Sequence, residues 1–469
     1  MARIAFLQSF WFEFLGVMYI SAYLKAHHHE VQLFIGDRIS RLVDEVLDYD
    51  PDIIAFSCSS GNHQWASILA GEIKKKRNIR AVMGGPHPTY YPEAIRQPHI
   101  DFLIRAEGEE AMLELVETLA RGESYQDIEN LVYLRDNQPV VNPLRPLIED
   151  LDTFPTPDRQ LYYQYRYLRK NRSKHVITGR GCPYNCAFCC NKSYKMMYQG
   201  KGRMVRRHSV ERIISDITIL KERYGVSTIR FDDEVFILSP EWLDTFLEQY
   251  TRVIGLPFSC LIRADLLHHD LAQKLKQAGC YIAYFGIESG DDHLRNQVLK
   301  KGVTRDQIVN TAHYLKSAGI LMGTFNMLGL PGETIKMGFE TVALNQLIKA
   351  DYPWCSILQP YPNTELEAEA IRDGYIRDCD HINTLSSSYF NRSLIRNEHS
   401  RELENLQKFF FLAVKFPFLT GIIEKIIRFE PNFLFDFLFQ ITYAYRYMKT
   451  YRISLLRIAS YALRMKSHF

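Results

Sequence analysis

Cysteine is scarce in this chain, with nine in 469 residues. A small, odd number does not suit a disulfide framework. Charge of one sign is also missing. The 57 Lys and Arg nearly balance the 54 Asp and Glu, leaving a net charge of +3, which argues against a dedicated nucleic-acid binder. No run of about 18 uncharged apolar residues occurs, so no membrane-spanning helix is expected. The first residues lack the apolar stretch and small-residue cleavage site of a secretion signal. No Gly-x-Gly-x-x-Gly follows the first strand-like segment, so a plain dinucleotide site is not expected. Repeats and low-complexity tracts are absent as well. These absences lead to the expectation of a cytoplasmic chain whose thiols stay reduced.

What is present is globular, at 46% hydrophobic and 24% charged residues, and long enough for about two to four domains. Residues 1–135 alternate strand-like and helical segments, with strands read at ARIAFL, HEVQLFIG, DIIAFSCSS, AVMGG and DFLIRAEG. That pattern predicts an α/β domain with a doubly wound, Rossmann-like parallel sheet, open to ligand at the carboxyl ends of its strands. Residues 136–172 are proline-interrupted and aperiodic, and read as a linker. Residues 173–385 hold six more strands between helices, predicting a partial or full β/α barrel. GRGC, FDDE, GIESG, GLPGE and PYPNTE all end strands, which places them on the rim where barrels carry their chemistry. Residues 386–469 read as a helical, basic and aromatic C-terminal region.

Four of the nine cysteines crowd into Gly179–Asn191, GRGCPYNCAFCCN. Cys182, Cys186 and Cys189 are spaced C-x3-C-x2-C. Zinc is the plain metal alternative, but it wants four ligands, usually two separated pairs, and no second pair follows. Three thiolates on one tight loop suit three irons of a cubane, leaving the fourth iron open. Cys190 reads as a bystander thiol. The segment CPYNCAFC resembles the CxxxCxΦC signature of the radical S-adenosylmethionine (SAM) superfamily. The resemblance implies that the three cysteines hold a [4Fe–4S] cluster whose open iron chelates SAM, with Phe188 near the adenine. By the same resemblance, Asp233 and Glu234 of FDDE stand where the family often has GGE beside the methionine amino group. An N-cap role is open for this acidic stretch too. Glu288 and Ser289 of GIESG resemble the segment that holds the ribose. Arg263 would pair with the SAM carboxylate, or with Asp265. Gly329 of MLGLPGE lies in a segment resembling the one along the adenine, and its glycines equally suit a tight turn.

The order of the two α/β units resembles the cobalamin-dependent, B12-binding-domain-containing radical SAM family. GGPHPT, DFLIRAEGEE and GIESGDD…KKGVT carry the likeness. It implies cobalamin in residues 1–135, with Ser57 and Ser59 in the place of SxL and Gly84 and Gly85 in the place of GG. In the DxHxxG place stand Trp11, Glu13 and Gly16, so no protein histidine is expected beneath cobalt. His87 would face the cofactor or stabilise its own turn. The implied chemistry is reductive cleavage of SAM to a 5′-deoxyadenosyl radical and cobalamin-dependent methylation of an unactivated carbon. A cobalamin-free N-terminal domain with a non-methylating reaction is the alternative. The partners implied are a small-molecule or lipid-like substrate and a low-potential flavodoxin- or ferredoxin-type electron donor. From Arg401 onward there are eleven Lys and Arg against five Asp and Glu, dense with aromatics. Such a tail packs on the protein's own body or lies peripherally on a membrane.

Overall fold

In the computed structural model, the described residues are 1–376, 381–386, 388, 390 and 392–453. The first sheet has seven strands: β1 (Arg3–Gln8), β2 (Glu30–Ile35), β3 (Ile53–Ser57), β4 (Arg80–Gly84), β5 (Phe102–Ile104), β6 (Leu131–Arg135) and β7 (Gln138–Val141), in the order β2-β1-β3-β4-β5-β6-β7. The first five are parallel, and their order reverses at β1, which creates a crevice between β1 and β3 at their carboxyl ends. β6 and β7 are antiparallel. This edge hairpin extends the sheet past residue 135, into the segment expected to be linker. Asp136 and Asn137 both take positive φ, at 50° and 60°, the geometry a two-residue hairpin turn needs.

A two-stranded ribbon, β9 (Gly179–Arg180) against β10 (Arg206–Arg207), follows β8 (Ser173–Val176). The second sheet adds β11 (Thr228–Phe231), β12 (Phe258–Leu261), β13 (Cys280–Glu288), β14 (Leu321–Leu328) and β15 (Tyr352–Ile357) to β8. All six are parallel and adjacent in chain order. This is a partial β/α barrel. Ser209, Thr304, Thr334 and Thr364 begin its helices, each side chain accepting from the backbone amide three residues on.

The segment between the sheets is not a loose tether. Leu161, Tyr162, Tyr163 and Leu168 are buried in one apolar core that runs from the first sheet into the barrel. Its prolines conceal this in the sequence, because the packing follows no helical or strand period. Tyr162 donates to Gln8 Oε1 at 2.8 Å and Tyr163 to Glu13 at 3.3 Å. Glu13 also receives Lys174 of β8 at 2.8 Å, and both side chains are buried. Replacing Lys174 with Met leaves Glu13 buried without its cationic partner, with only the Tyr163 hydroxyl still donating to it. Denaturant unfolding of Lys174→Met is expected to show a loss of about 3–5 kcal/mol, largely recovered in the Glu13→Leu/Lys174→Met double variant.

Candidate functional site

The cysteine loop begins where the two domains are bolted together. Arg180 of β9 pairs with Glu107 at 3.0 Å and Glu109 at 2.6 Å, and Arg206 of β10 pairs with Glu107 at 2.7 Å. Burial pushes the Glu107 carboxyl up, but Arg206 and Arg180 outweigh it and hold it below its ordinary value. Gly181 (φ 94°) must be glycine, since a Cβ there would run into the Met204 carbonyl. The loop is then anchored by Ala187, whose amide donates to Leu299 and whose carbonyl accepts from Leu366. Cys186 is buried, and Cys182 and Cys189 are partly open. Among the described residues no three His, Cys, Asp or Glu side chains converge as ligands of one metal ion.

Around this loop the structure gathers most of the residues singled out above. Phe188 packs in one apolar cluster with Met327 and Leu330 of the MLGLPGE segment. Arg263 lies 3.7 Å over the Tyr184 ring, places Nη1 3.8 Å from Cys186 Sγ, and pairs with Asp265 at 2.7 Å. Glu288 is a non-glycine residue at φ 64°, on a register shift of β13 against β14. Strain of that kind persists where the surroundings over-determine it, often at functional sites. Its Oε1 accepts from Lys301 Nζ at 2.7 Å, and Lys301 stands 6.0 Å from the Phe188 ring centroid. Gly286 makes the space, because a Cβ there would overlap both Glu288 Oε1 and Lys301 Nζ. Ser289 is fully buried, and its carbonyl accepts from the buried Arg295 at 2.9 Å. Gly329 (φ 80°) donates its amide to Glu333 at 2.6 Å. Burial pushes Glu333 up to about 8 although the Leu330 and Gly329 amides oppose it.

The two aspartates of FDDE take different places from Glu234. Asp233 accepts from the Thr178 amide and hydroxyl and pairs with Arg207 at 3.1 Å, so its carboxylate is engaged with protein. Asp232 pairs with His175 and with Arg230 at 2.8 Å. Burial pushes it up, but His175 and Arg230 prevail and hold it at about 2. Glu234 instead reaches into a cavity of about 370 Å³ between the two domains, where the close walls push its carboxyl up. On one side that cavity meets the carboxyl ends of β1, β3, β4 and β5 and the start of the helix Leu15–Ala26 at Gly16, with Ser57, Gly84 and Gly85 among its walls. On the other it meets Arg180, Gly181, Asn191 and Tyr194. A Cβ on Gly16 would touch nothing within 4 Å, so a side chain there would enter the open space. Ser59 is exposed and outside this lining. His87 is also outside it: buried, stacked on His63 at 3.9 Å, with Nδ1 3.0 Å from the Ser60 hydroxyl. Burial, with His63 beside it, brings His87 down to about 3, so it is neutral near pH 7. Glu13, in the place of a cobalt-ligating histidine, is spent on Lys174.

Sequence reading did not assign roles to Lys301, Tyr90 or Arg180. Each lies within or beside a quoted phrase, but only its distant partner reveals the role. Tyr90 lines the cavity and faces Cys190 across the domain boundary, at the edge of the cluster loop.

Two expected outcomes follow from this geometry. Gly286→Ala should displace the Glu288–Lys301 pair, read as a loss of about 1–3 kcal/mol in denaturant unfolding. Glu333 keeps its proton when folded up to about pH 8, whereas unfolded it ionises near its ordinary value. The wild type therefore loses stability as pH rises between those two values. Glu333→Gln mimics the protonated form, so denaturant melts should match the wild type near pH 5 and show the variant more stable at pH 9.

The B12 binding domain family matches residues 12–116 and the Radical SAM superfamily residues 176–344. An uncharacterized methyltransferase, PH0819, of Pyrococcus horikoshii is 30% identical over 77% of this chain and 79% of its own length. An anaerobic magnesium-protoporphyrin IX monomethyl ester cyclase of Rubrivivax gelatinosus is 26% identical over 86% of this chain and 75% of its own. The fold is shared with the radical SAM methyltransferase TsrM of Kitasatospora setae, solved with cobalamin and a [4Fe–4S] cluster bound. The TM-score is 0.67 at 17% identity, covering 81% of this chain and 76% of that one. The cofactors of such an assembly are a [4Fe–4S] cluster, SAM and cobalamin. The three-cysteine loop, the Glu288 bulge and the glycine-lined cavity fit them, and the chain belongs to the cobalamin-dependent radical SAM enzymes.

Proposed function

We propose that this enzyme methylates an unactivated carbon of a small-molecule or lipid-like substrate held between the N-terminal domain and the barrel mouth. The observation that carries the reading is the shared cavity. One hollow is walled by the carboxyl ends of the first sheet and by the threshold of the cysteine loop, so a cofactor bound to each half would face the same space. When bound, the cluster and SAM supply a hydrogen-abstracting radical, and cobalamin supplies a transferable methyl group.

The chain's own residues do the positioning. Cys182, Cys186 and Cys189 would hold the cluster. Glu288, presented by its strained backbone and fixed by Lys301, offers its second carboxylate oxygen to a diol. Phe188, Met327 and Leu330 supply an apolar wall. Arg263, already bound to Asp265, keeps a guanidinium edge beside Cys186. Glu234 stands in the cavity with a raised carboxyl value, suited to accept from an ammonium or hold a proton there. Gly16, Gly84 and Gly85 leave room for a nucleotide tail, and no histidine is offered beneath the corrin. A low-potential flavodoxin or ferredoxin would donate the electron.

Anaerobic reconstitution with iron, sulfide and hydroxocobalamin, then desalting and metal counting, tests the reading. Stoichiometric cobalt with about four irons, and 5′-deoxyadenosine formed from SAM under reduction, are expected. Cluster without retained cobalt would overturn the methylation reading. Gly16→Trp should lose cobalt while keeping iron and helicity, because the indole would occupy the cavity.

A further inference from the structure

The C-terminal helix Phe433–Tyr451 is built inside out. Its buried face carries Thr442, Arg446 and Thr450 beside Phe435 and Phe439. Its outer face carries Phe433, Phe437, Ile441 and Tyr445, four large apolar residues at successive i+4 positions, with Lys449 next in line. The inversion has a cause. The inner face packs against the amino-terminal ends of β13 and β15 and reaches β11. Arg446 donates to the Pro353 carbonyl of β15 and stands 4.5 Å over Trp354. Thr450 accepts from Tyr281 of β13 at 2.8 Å, and Tyr451 accepts from Arg230 of β11 at 2.7 Å. Polar contacts are spent inward, and the apolar ladder is left facing solvent.

The neighbouring segments extend this face. Phe416, Phe418 and Ile422 are exposed just before it, and Phe429 between the helices. Phe418 and Phe433 are 77% and 84% exposed. Monomeric proteins rarely leave so many large apolar side chains together in water. The charges around them are selective. Glu430 pairs with Arg401 at 2.5 Å and Asp436 with Lys408 at 2.6 Å, which leaves Glu424 as the acid of residues 416–449 that is exposed without an ion pair among the described residues. Lys425, Arg428 and Lys449 are exposed and form no ion pair among the described residues.

We propose that this aromatic and basic face docks on an anionic membrane surface, with the aromatic rings in the interfacial region and Lys425, Arg428 and Lys449 against lipid phosphates. No helix of the described residues is long and apolar enough to cross a membrane, so the contact is peripheral. A second copy of the chain is the poorer occupant, because a two-fold contact would set these cations against their own equivalents. Docking is read without turnover, so it holds or fails separately from the chemistry proposed above.

The test is co-sedimentation of the full, cluster-loaded chain under anaerobic conditions, with phosphatidylcholine vesicles with and without phosphatidylglycerol. Binding is expected to the anionic vesicles and to weaken as salt rises. Phe418→Ser/Phe433→Ser/Phe437→Ser should abolish it with iron content and circular dichroism unchanged. Lys425→Glu/Arg428→Glu should weaken it by at least about tenfold. Three outcomes would overturn the proposal. One is no binding to either vesicle. Another is self-association in light scattering that the triple variant removes. The last is binding that survives the triple variant but is lost when the chain is cut after Ile453, which would move the contact to the C-terminal segment.

Discussion

The ion network of Glu107 and Glu109 with Arg180 and Arg206 is the joint on which the site depends. Glu107 follows the last parallel strand of the first sheet, and Arg180 stands two residues before the first cluster cysteine. Two carboxylates facing two guanidinium groups satisfy one another where water is scarce. Removing one member would leave a buried charge without its partner. The network fixes the distance between the two halves, and that distance defines the cavity. The cysteine loop gains its position from the same joint, because β9 and β10 form the ribbon that carries Arg180 and Arg206.

A second consequence of docking the domains is the use made of Glu13. In the position where related domains present a histidine, the carboxylate is turned to Lys174 of the barrel. The residue ties the domains together instead of addressing a corrin. Further along, Gly286, Glu288 and Lys301 form a unit in which one missing Cβ permits a buried ion pair, and the pair holds a strained carboxylate at the rim.

Some of this was legible in the chain and some was not. The cysteine loop was, because its information is contiguous: three thiols, their spacing and an aromatic residue lie within eight positions. The two α/β units were legible for a similar reason, since alternation of period is local. The β6–β7 hairpin was passed over, although Asp136-Asn137 is a turn signal, because proline within β7 masks the strand. The buried belt at Leu161–Leu168 was read as linker, since its tyrosines pack by contact with both domains and follow no period.

The sequence by itself determined the cofactor class and the order of the two units, through short-range motifs that keep their meaning wherever they sit. Only the tertiary structure decided which side chains are free. Asp233 and Glu234 are adjacent in the chain, yet one is engaged by Thr178 and Arg207 while the other reaches the cavity. Ser57 lines that cavity and Ser59 does not. The tail's aromatics were plain in the sequence, but which of them pack and which face solvent depended on strands about 90 to 220 positions away. Burial and pairing are set by neighbours in space, and a local pattern does not record who those neighbours are.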